Sequence, residues 1–225
     1  SAEKNVSFSI NSEKLEKLRP YFFEIAKRIR KAIFKNQPIM IRHHSDSDGI
    51  NAGLAIEDSC RLLMEKIGAN SEYNLFRSPS RAPYYDIIDA LKDIVLIKKV
   101  LEPHGQSQPL IIVLDNGSTP EDVFGLKAMK SIGFETIVID HHNPVVVQNK
   151  KTLVDPYVSL HLNPYLEGLD SQLCAGMLAY ELAKWICEDY SNPSLPAVAG
   201  ITDRSTIEEA EEYIKKSGRS KKELE

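Results

Sequence analysis

Cysteine is scarce in this chain: three residues, Cys60, Cys174 and Cys187, none of them in a CxxC pair. An odd number without paired spacing argues against a disulfide framework and against a thiolate zinc site, and fits a reducing compartment. Long apolar runs are missing too. No stretch approaches the ~20 residues that a membrane-spanning helix requires, and no signal-peptide pattern is present. Charge of either sign is nearly balanced, at a net −4. A nucleic-acid partner would therefore need a local groove, because the protein as a whole offers no basic surface. Internal repeats and low-complexity segments are also absent. What remains is a globular protein, expected to be soluble and cytoplasmic, with 42% hydrophobic residues to build a core.

The apolar pattern alternates between helix and strand. Residues 11–35 place Leu15, Leu18, Phe22, Ile25, Ile29 and Ile33 at helical spacing, with Pro20 as a candidate break or kink. A strand is expected over Ile39–Arg42, a helix from Ile50 to Ile67 stopped by Gly68, and a short strand over Glu72–Phe76. A loop, "RSPSRAP", then leads to a helix from Tyr84 to Leu101. "PLIIVLDNG" reads as a buried strand, followed by a helix opened by Ser118, Thr119 and Pro120 and closed at Gly133. "ETIVIDHHNP" is another buried strand, Leu173–Tyr190 a long apolar helix, and "SLPAVAGITDRS" a short apolar stretch. This alternation predicts an α/β fold with a mostly parallel sheet flanked by helices. Three segments are expected: an N-terminal helical segment (1–36), a catalytic domain (37–205), and a C-terminal helix with the look of a linker (206–225).

Several of these apolar segments finish in the same chemistry. "IRHHSDSDG" puts His43, His44, Asp46 and Asp48 where a strand leaves the core; others end at Asp115, at Asp140-His141-His142, and at Asp203. In open α/β sheets the carboxyl ends of parallel strands, only ~4.8 Å apart, are where functional groups gather. So many carboxylates cannot stay ionised together without counter-charge. Two divalent cations ~3.5–4 Å apart supply it, and form the clamp used for in-line attack on phosphorus. Carboxylates with imidazoles suit Mn²⁺, and also Mg²⁺ or Zn²⁺.

"HSDSDG", "VLDNGS", "VIDHHNP" and "AGITDRS", in this order and spacing, resemble motifs I to IV of the DHH phosphoesterase superfamily. "HLNPYLEGLDSQLCAGMLAYELA" is similar to the Asn-Pro segment and following helix of its RecJ-like branch, which includes archaeal single-strand exonucleases. The resemblance implies that Asp46 and Asp48 each hold one metal, that Asp115 bridges both, and that His141 and Asp203 are further ligands. It implies that Asp140 orients His141 and that His142 faces the scissile phosphate. Two positions depart from the pattern. Arg42 stands where small-substrate branches have histidine, and His44 stands where the RecJ branch has aspartate, so that His44 is a candidate ligand in its place. A second domain that closes the cleft in DHH enzymes has no counterpart after Asp203, and is expected to be missing from this chain.

Candidate substrate contacts are Arg204, beside the last ligand, Asn163 and Ser171 in the Asn-Pro segment, and Arg77 and Arg81 in the Pro/Ser loop with Tyr84 and Tyr85. Guanidinium and aromatic groups together hold single strands by phosphate pairing and stacking. A structural reading stays open for each: an ion pair for Arg204, a turn and cap for Asn163 and Ser171, a sheet-edge cap for the tyrosines. The expected function is a two-metal exonuclease on single-stranded DNA or RNA, using two cations with Mn²⁺ foremost and Mg²⁺ the alternative. A small-substrate phosphoesterase and a scaffold among replication or repair proteins are the competing readings.

Overall fold

The computed structural model describes residues 6–225, so residues 1–5 of the expected N-terminal helical segment lie outside the described residues. Five strands form one sheet: β1 (Ile39–His43), β2 (Leu75–Pro79), β3 (Leu110–Leu114), β4 (Glu135–Ile139) and β5 (Leu160–Leu162). All pair in parallel, in the order β2-β1-β3-β4-β5. β2 lies on one side of β1 and every later strand is added on the other. The chain therefore reverses direction of growth between β1 and β3, and such a switch point opens a crevice at the carboxyl ends of those strands.

The two-residue period of the strands sorts their side chains into two cores. Ile39, Ile41, Leu110, Ile112, Leu114, Ile137, Ile139 and Leu162 face α1 (Glu13–Phe34), α2 (Ser47–Lys66) and α6 (Ala175–Ile186), together with α7 (Ser194–Thr202) and α8 (Glu208–Ser217). Met40, Ile111, Val113 and Val138 face α4 (Ile87–Leu96) and α5 (Val123–Ser131). Both faces are covered, which is why the central strands read as unbroken apolar runs. The chain ends join the first core: buried Glu181 accepts hydrogen bonds from the Ser9 backbone (2.9 Å) and the Tyr213 hydroxyl (2.8 Å). Among the described residues, no helix is long and apolar enough to cross a membrane.

Several boundaries differ from expectation. Pro20 lies inside α1 without ending it, on the exposed side, where water can take the carbonyl its missing N–H leaves free. β2 starts later than expected because Asn70 caps a helical turn, α3 (Ser71–Asn74), accepting from the Glu72 N–H at 2.9 Å. The strand then takes in Arg77, Ser78 and Pro79; proline is tolerated at the end of an edge strand. α4 begins at Ile87, behind the Asp86 cap, and continues past Leu96 as a π-turn over Ile97–Leu101. The stretch leading to Asp203 is α7, a helix, since an apolar run of that length suits either state. β5 is a three-residue strand with no apolar run of its own. After α8, a last turn, α9 (Lys221–Leu224), buries Leu224.

Arg42, the departure on β1, turns toward α4. Its guanidinium donates to Asp93 and to the Pro79 carbonyl (2.8 Å), with Asp89 3.9 Å away. The Tyr85 hydroxyl donates to the other Asp93 oxygen at 2.9 Å. All four side chains are buried. Removing the cation alone would leave buried Asp93 without its counter-charge, while Asp89 would keep Lys92 at 3.6 Å. Arg42→Met is expected to lower the unfolding free energy by about 3–5 kcal/mol, read from urea denaturation; an unchanged midpoint would mean that the pair is not formed.

Candidate metal centre

Strand register builds the first row of the site. Pro79, His43, Leu114, Ile139 and Leu162 stand side by side across the sheet. The residues that follow them, Ser80, His44, Asp115, Asp140 and Asn163, form a row along the carboxyl edge. Backbone bonds extend the ladder one step to hold them: His44 N–H to Leu114 O (3.1 Å), Asp115 N–H to Ile139 O (3.0 Å), Asp140 N–H to Leu162 O (3.0 Å). Asp115 then leaves the sheet at φ +56°, a conformation that aspartate tolerates better than most residues. Gly117, at φ +104°, packs so closely that a Cβ there would lie 2.9 Å from the Val138 methyls.

Helix termini bring the other carboxylates. Asp46 caps α2, accepting the Gly49 N–H at 2.9 Å through Oδ1. Its Oδ2 lies 2.9 Å from His44 Nδ1. Asp48, in the first turn, is buried and accepts the N–H groups of Ala175 and Gly176, both at 2.8 Å, at the start of α6. A Cβ at Gly176 would meet Asp48 Oδ1 at 2.8 Å and the Ala199 Cβ at 2.4 Å, so this approach needs glycine. Asp203 follows the last residue of α7.

Asp115 is the centre. It is 1% exposed, and neither carboxylate oxygen accepts a hydrogen bond. Oδ2 lies 3.4 Å from His44 Nδ1; Oδ1 lies 3.2 Å from His141 Nε2 and 3.8 Å from His142 Nδ1. His141 donates from Nδ1 to the Ser171 carbonyl (2.7 Å), which turns Nε2 inward, 3.6 Å from Asp48 Oδ2. Two sets of three ligand atoms result, each within 4.8 Å: His44–Asp46–Asp115 and Asp48–His141–Asp203, joined by a third set, Asp115–His141–His142. The orphaned oxygens of Asp115 and the unbonded, buried His44 Nδ1 fit a pair of divalent cations. The oxygen and imidazole donor set suits Mn²⁺ or Mg²⁺.

The protonation pattern has the same origin. Asp115, then Asp46, push His44 up to about 10. Burial opposes the charge on His141, but Asp115 and Asp48 carry it up to about 11. Asp140 holds His142 up at about 9. Burial, then the Asp115 charge, pushes Asp48 up to about 7. Without a metal ion, protons on the imidazoles are the counter-charge for the carboxylates.

Asp140 differs from the role the resemblance implies. Its Oδ1 accepts His142 Nδ1–H (2.7 Å) and the backbone N–H groups of His141 and His142 (2.8 and 3.1 Å). It therefore orients the His142 ring, while the Ser171 carbonyl orients His141. In a chain leaving a strand, residues i and i+2 point the same way and i+1 points away. Asn163 is fully buried, bridging the Ser118 hydroxyl and the His142 carbonyl, with its side chain behind the site. Ser171 contributes that carbonyl. Arg77 is tied to Glu57 (2.5 Å) and His43 (3.0 Å). Arg81 is exposed, with its backbone N–H on Asp89 (2.7 Å). Tyr85 is fully buried and unavailable for stacking; Tyr84 is half-buried. Arg204 is exposed at φ +56° and makes no ion pair among the described residues. Ser118, which opens a helix by sequence, and His161 of β5 meet at 2.9 Å; the parallel pairing of β4 with β5 brings them together.

Residues 38–202 match the family described as DHH family, N-terminal domain. A protein of Methanocaldococcus jannaschii called Uncharacterized protein MJ1198 is 43% identical over 217 residues, covering 94% of this chain and 28% of its own length. A solved structure described as "Member of s1p family of ribosomal proteins PF0399 DHH domain" superposes with a TM-score of 0.93 at 39% identity, covering 98% of this chain and 53% of that one. RecJ in complex with Mn²⁺ from Thermus thermophilus has a TM-score of 0.62 at 18% identity, covering 87% of this chain and 26% of that one, a likeness of fold. The chain thus spans 28% of the length of the M. jannaschii protein and 53% of the s1p-family structure.

As ligands, His44 and His141 must be neutral and Asp48 ionised, so metal binding displaces protons. Mn²⁺ titrated into chelator-treated protein near pH 7 is expected to release protons, measured by calorimetry in buffers of different ionisation enthalpy. Affinity should rise with pH. The sign for stability is opposite: His44, raised from 6.5 to about 10 on folding, stabilises the metal-free protein fully below pH ~6.5 and loses that contribution as pH rises through 10. Mn²⁺ binding without proton release would contradict this charge assignment.

Proposed function

The chain belongs to the DHH family, a family of phosphoesterases, and on that premise we propose that it is a metal-dependent exonuclease for single-stranded DNA or RNA. One observation carries the reading: a buried aspartate, Asp115, with no hydrogen bond on either oxygen, shared by two of three three-ligand groups at a sheet switch point. Asp46, Asp48, Asp115, His141, Asp203 and His44 would hold two Mn²⁺ or Mg²⁺ ions; the fold relative RecJ is described with manganese. Such a pair lowers the pKa of an attacking water and neutralises charge on the phosphoryl oxygens.

The remaining work falls to side chains on the open side. His142, its side chain 38% exposed, is held protonated by Asp140 at neutral pH and offers Nε2–H to a phosphoryl oxygen or a leaving group. Arg204, free of carboxylate partners among the described residues, supplies a second cation beside Asp203. Arg81 extends the basic border toward a longer strand, with Arg77 contributing a charge partly compensated by Glu57. Arg42, locked against Asp93 inside the fold, takes no part, and with it goes the histidine position of the small-substrate branches. The relative described as a member of the s1p family of ribosomal proteins makes RNA the first substrate to test beside DNA.

End-labelled single-stranded RNA and DNA oligonucleotides, incubated with Mn²⁺, are expected to give a ladder of shortened products. Asp115→Ala should lower the rate by at least about a hundredfold. Two Mn²⁺ bound with no cleavage would favour a small phosphoester substrate instead. Failure to bind any metal would favour the scaffold reading.

A further inference from the structure

Behind His142 lies a chain of polar residues that no cation needs: Asp155, His161, Ser118 and Asn163. Ser118 and Asn163 are fully buried and His161 is 6% exposed. Asn163 Nδ2 donates to Ser118 Oγ (2.9 Å) and to the carbonyl of His142 (3.0 Å). Ser118 Oγ lies 2.9 Å from His161 Nε2 and makes no other hydrogen bond among the described residues. An amide N–H can only donate, so the buried Ser118 hydroxyl proton finds an acceptor only at His161, with Nε2 as the bare nitrogen. The imidazole proton therefore sits on Nδ1, 3.5 Å from Asp155 Oδ2. That oxygen is fixed in turn by the Thr152 backbone N–H (2.5 Å) and hydroxyl (2.8 Å). The hydrogen bonds thus run in one direction, from the Asn163 amide through Ser118 to His161, whose Nδ1 faces the Asp155 carboxylate as a 3.5 Å ion-pair contact and not as a hydrogen bond.

Ser118 also reaches His142 by a second route. Its backbone N–H donates to Asp140 Oδ2 (3.0 Å), and Asp140 Oδ1 takes the His142 Nδ1–H (2.7 Å). One residue thus grips His142 twice: at the ring through Asp140 and at the main-chain carbonyl through Asn163. Burying polar side chains beside a sheet is costly unless every donor and acceptor is met, and here the partners lead to a single side chain on the open side.

We propose that Ser118, its hydroxyl orientation set by the His161–Asp155 pair, is a positioning residue that fixes His142 for the phosphodiester reaction. The inference rests on the reading of His142 as the group that faces the phosphate. His161→Leu removes the acceptor for Ser118, whereas His161→Gln can place an amide oxygen where Nε2 stands. With Mn²⁺ and a single-stranded oligonucleotide, His161→Leu is expected to lower kcat by about tenfold or more, with KM and Mn²⁺ affinity retained. His161→Gln should recover most of it. A folded His161→Leu protein with wild-type kcat, or a glutamine variant as poor as the leucine one, overturns the proposal.

Nitrogen-15 NMR on the histidine-labelled chain tests the same geometry without turnover or a core substitution at 161. The expected His161 is the neutral Nδ1–H tautomer, and Ser118→Ala should move the His142 ring signals. An Nε2–H tautomer, or His142 signals unmoved in the variant, overturns the proposal whether or not His161→Leu folds. Should the wild-type chain cleave no oligonucleotide, the exonuclease reading falls, and the NMR result alone decides the role of Ser118.

Discussion

A buried carboxylate without a hydrogen bond is among the most costly groups a protein can hold unless cations stand next to it. Asp115 is such a group, and the rest of the site answers to it. His44 approaches one oxygen, His141 and His142 the other. With no metal bound, those imidazoles keep their protons to balance the charge. On the proposed occupancy the cations would take over from His44 and His141, whose protons would leave, while His142 keeps its proton against Asp140. The parallel sheet makes this possible, because residues one step beyond adjacent strand ends fall into a row without any long-range loop having to be ordered. The switch point lies between β1 and β3, where His44 and buried Asp115 meet.

Around that row two of the proposed ligands also hold backbone features of the fold. Asp46 caps the helix whose first turn carries Asp48. Asp48 in turn binds the first N–H groups of α6, where the helix end favours negative charge. The same carboxylate therefore docks α6 on α2 and turns an oxygen toward His141. Asp140, wholly buried, accepts from three N–H groups of the segment that follows it and from Ser118. It fixes the path of the His141-His142 turn and the direction of the second ring together. At Asp46 and Asp48 the proposed metal ligation and folding are thus coupled, and loss of either carboxylate is also loss of a cap or a docking contact.

Much of this was legible in the sequence, for a physical reason. A buried parallel strand is an uninterrupted apolar run, so the change to aspartate and histidine at its end is abrupt and easy to see. Hence β1, β3, β4 and the residues after them could be placed in advance, and the shared row follows once the strands are parallel. The failures share a different cause. β5 has three residues and no apolar signature. α7 is apolar all round, so its run carries no period to tell helix from strand. A helical turn capped by Asn70 displaced β2, which carried Arg77 out of a loop and onto a strand beside Glu57. The partner of Asp140 could not be read, since it depends on which way successive side chains turn after a strand, as does the meeting of Ser118 with His161 across β4 and β5.

The two departures from the family pattern have opposite consequences, and charge counting shows why. Arg42 lies on the α4 side, where Asp93 and Asp89 compensate it within the fold, so its charge never reaches the crevice. His44 lies at the centre, where the RecJ-like pattern would put a carboxylate. On the proposed occupancy, Asp46, Asp48, Asp115 and Asp203 offer four negative charges against the four positive charges of two divalent ions. Neutral His44 and His141 leave that balance at zero. An aspartate at position 44 would leave it at minus one. The formal charges then left beside the ions on the open side belong to His142 and Arg204, both positive, and each phosphodiester group of a nucleic acid carries a single negative charge. On that reading, an imidazole in place of a carboxylate at position 44 gives up one charge of attraction for the proposed metal ions and removes one charge of repulsion against the proposed substrate.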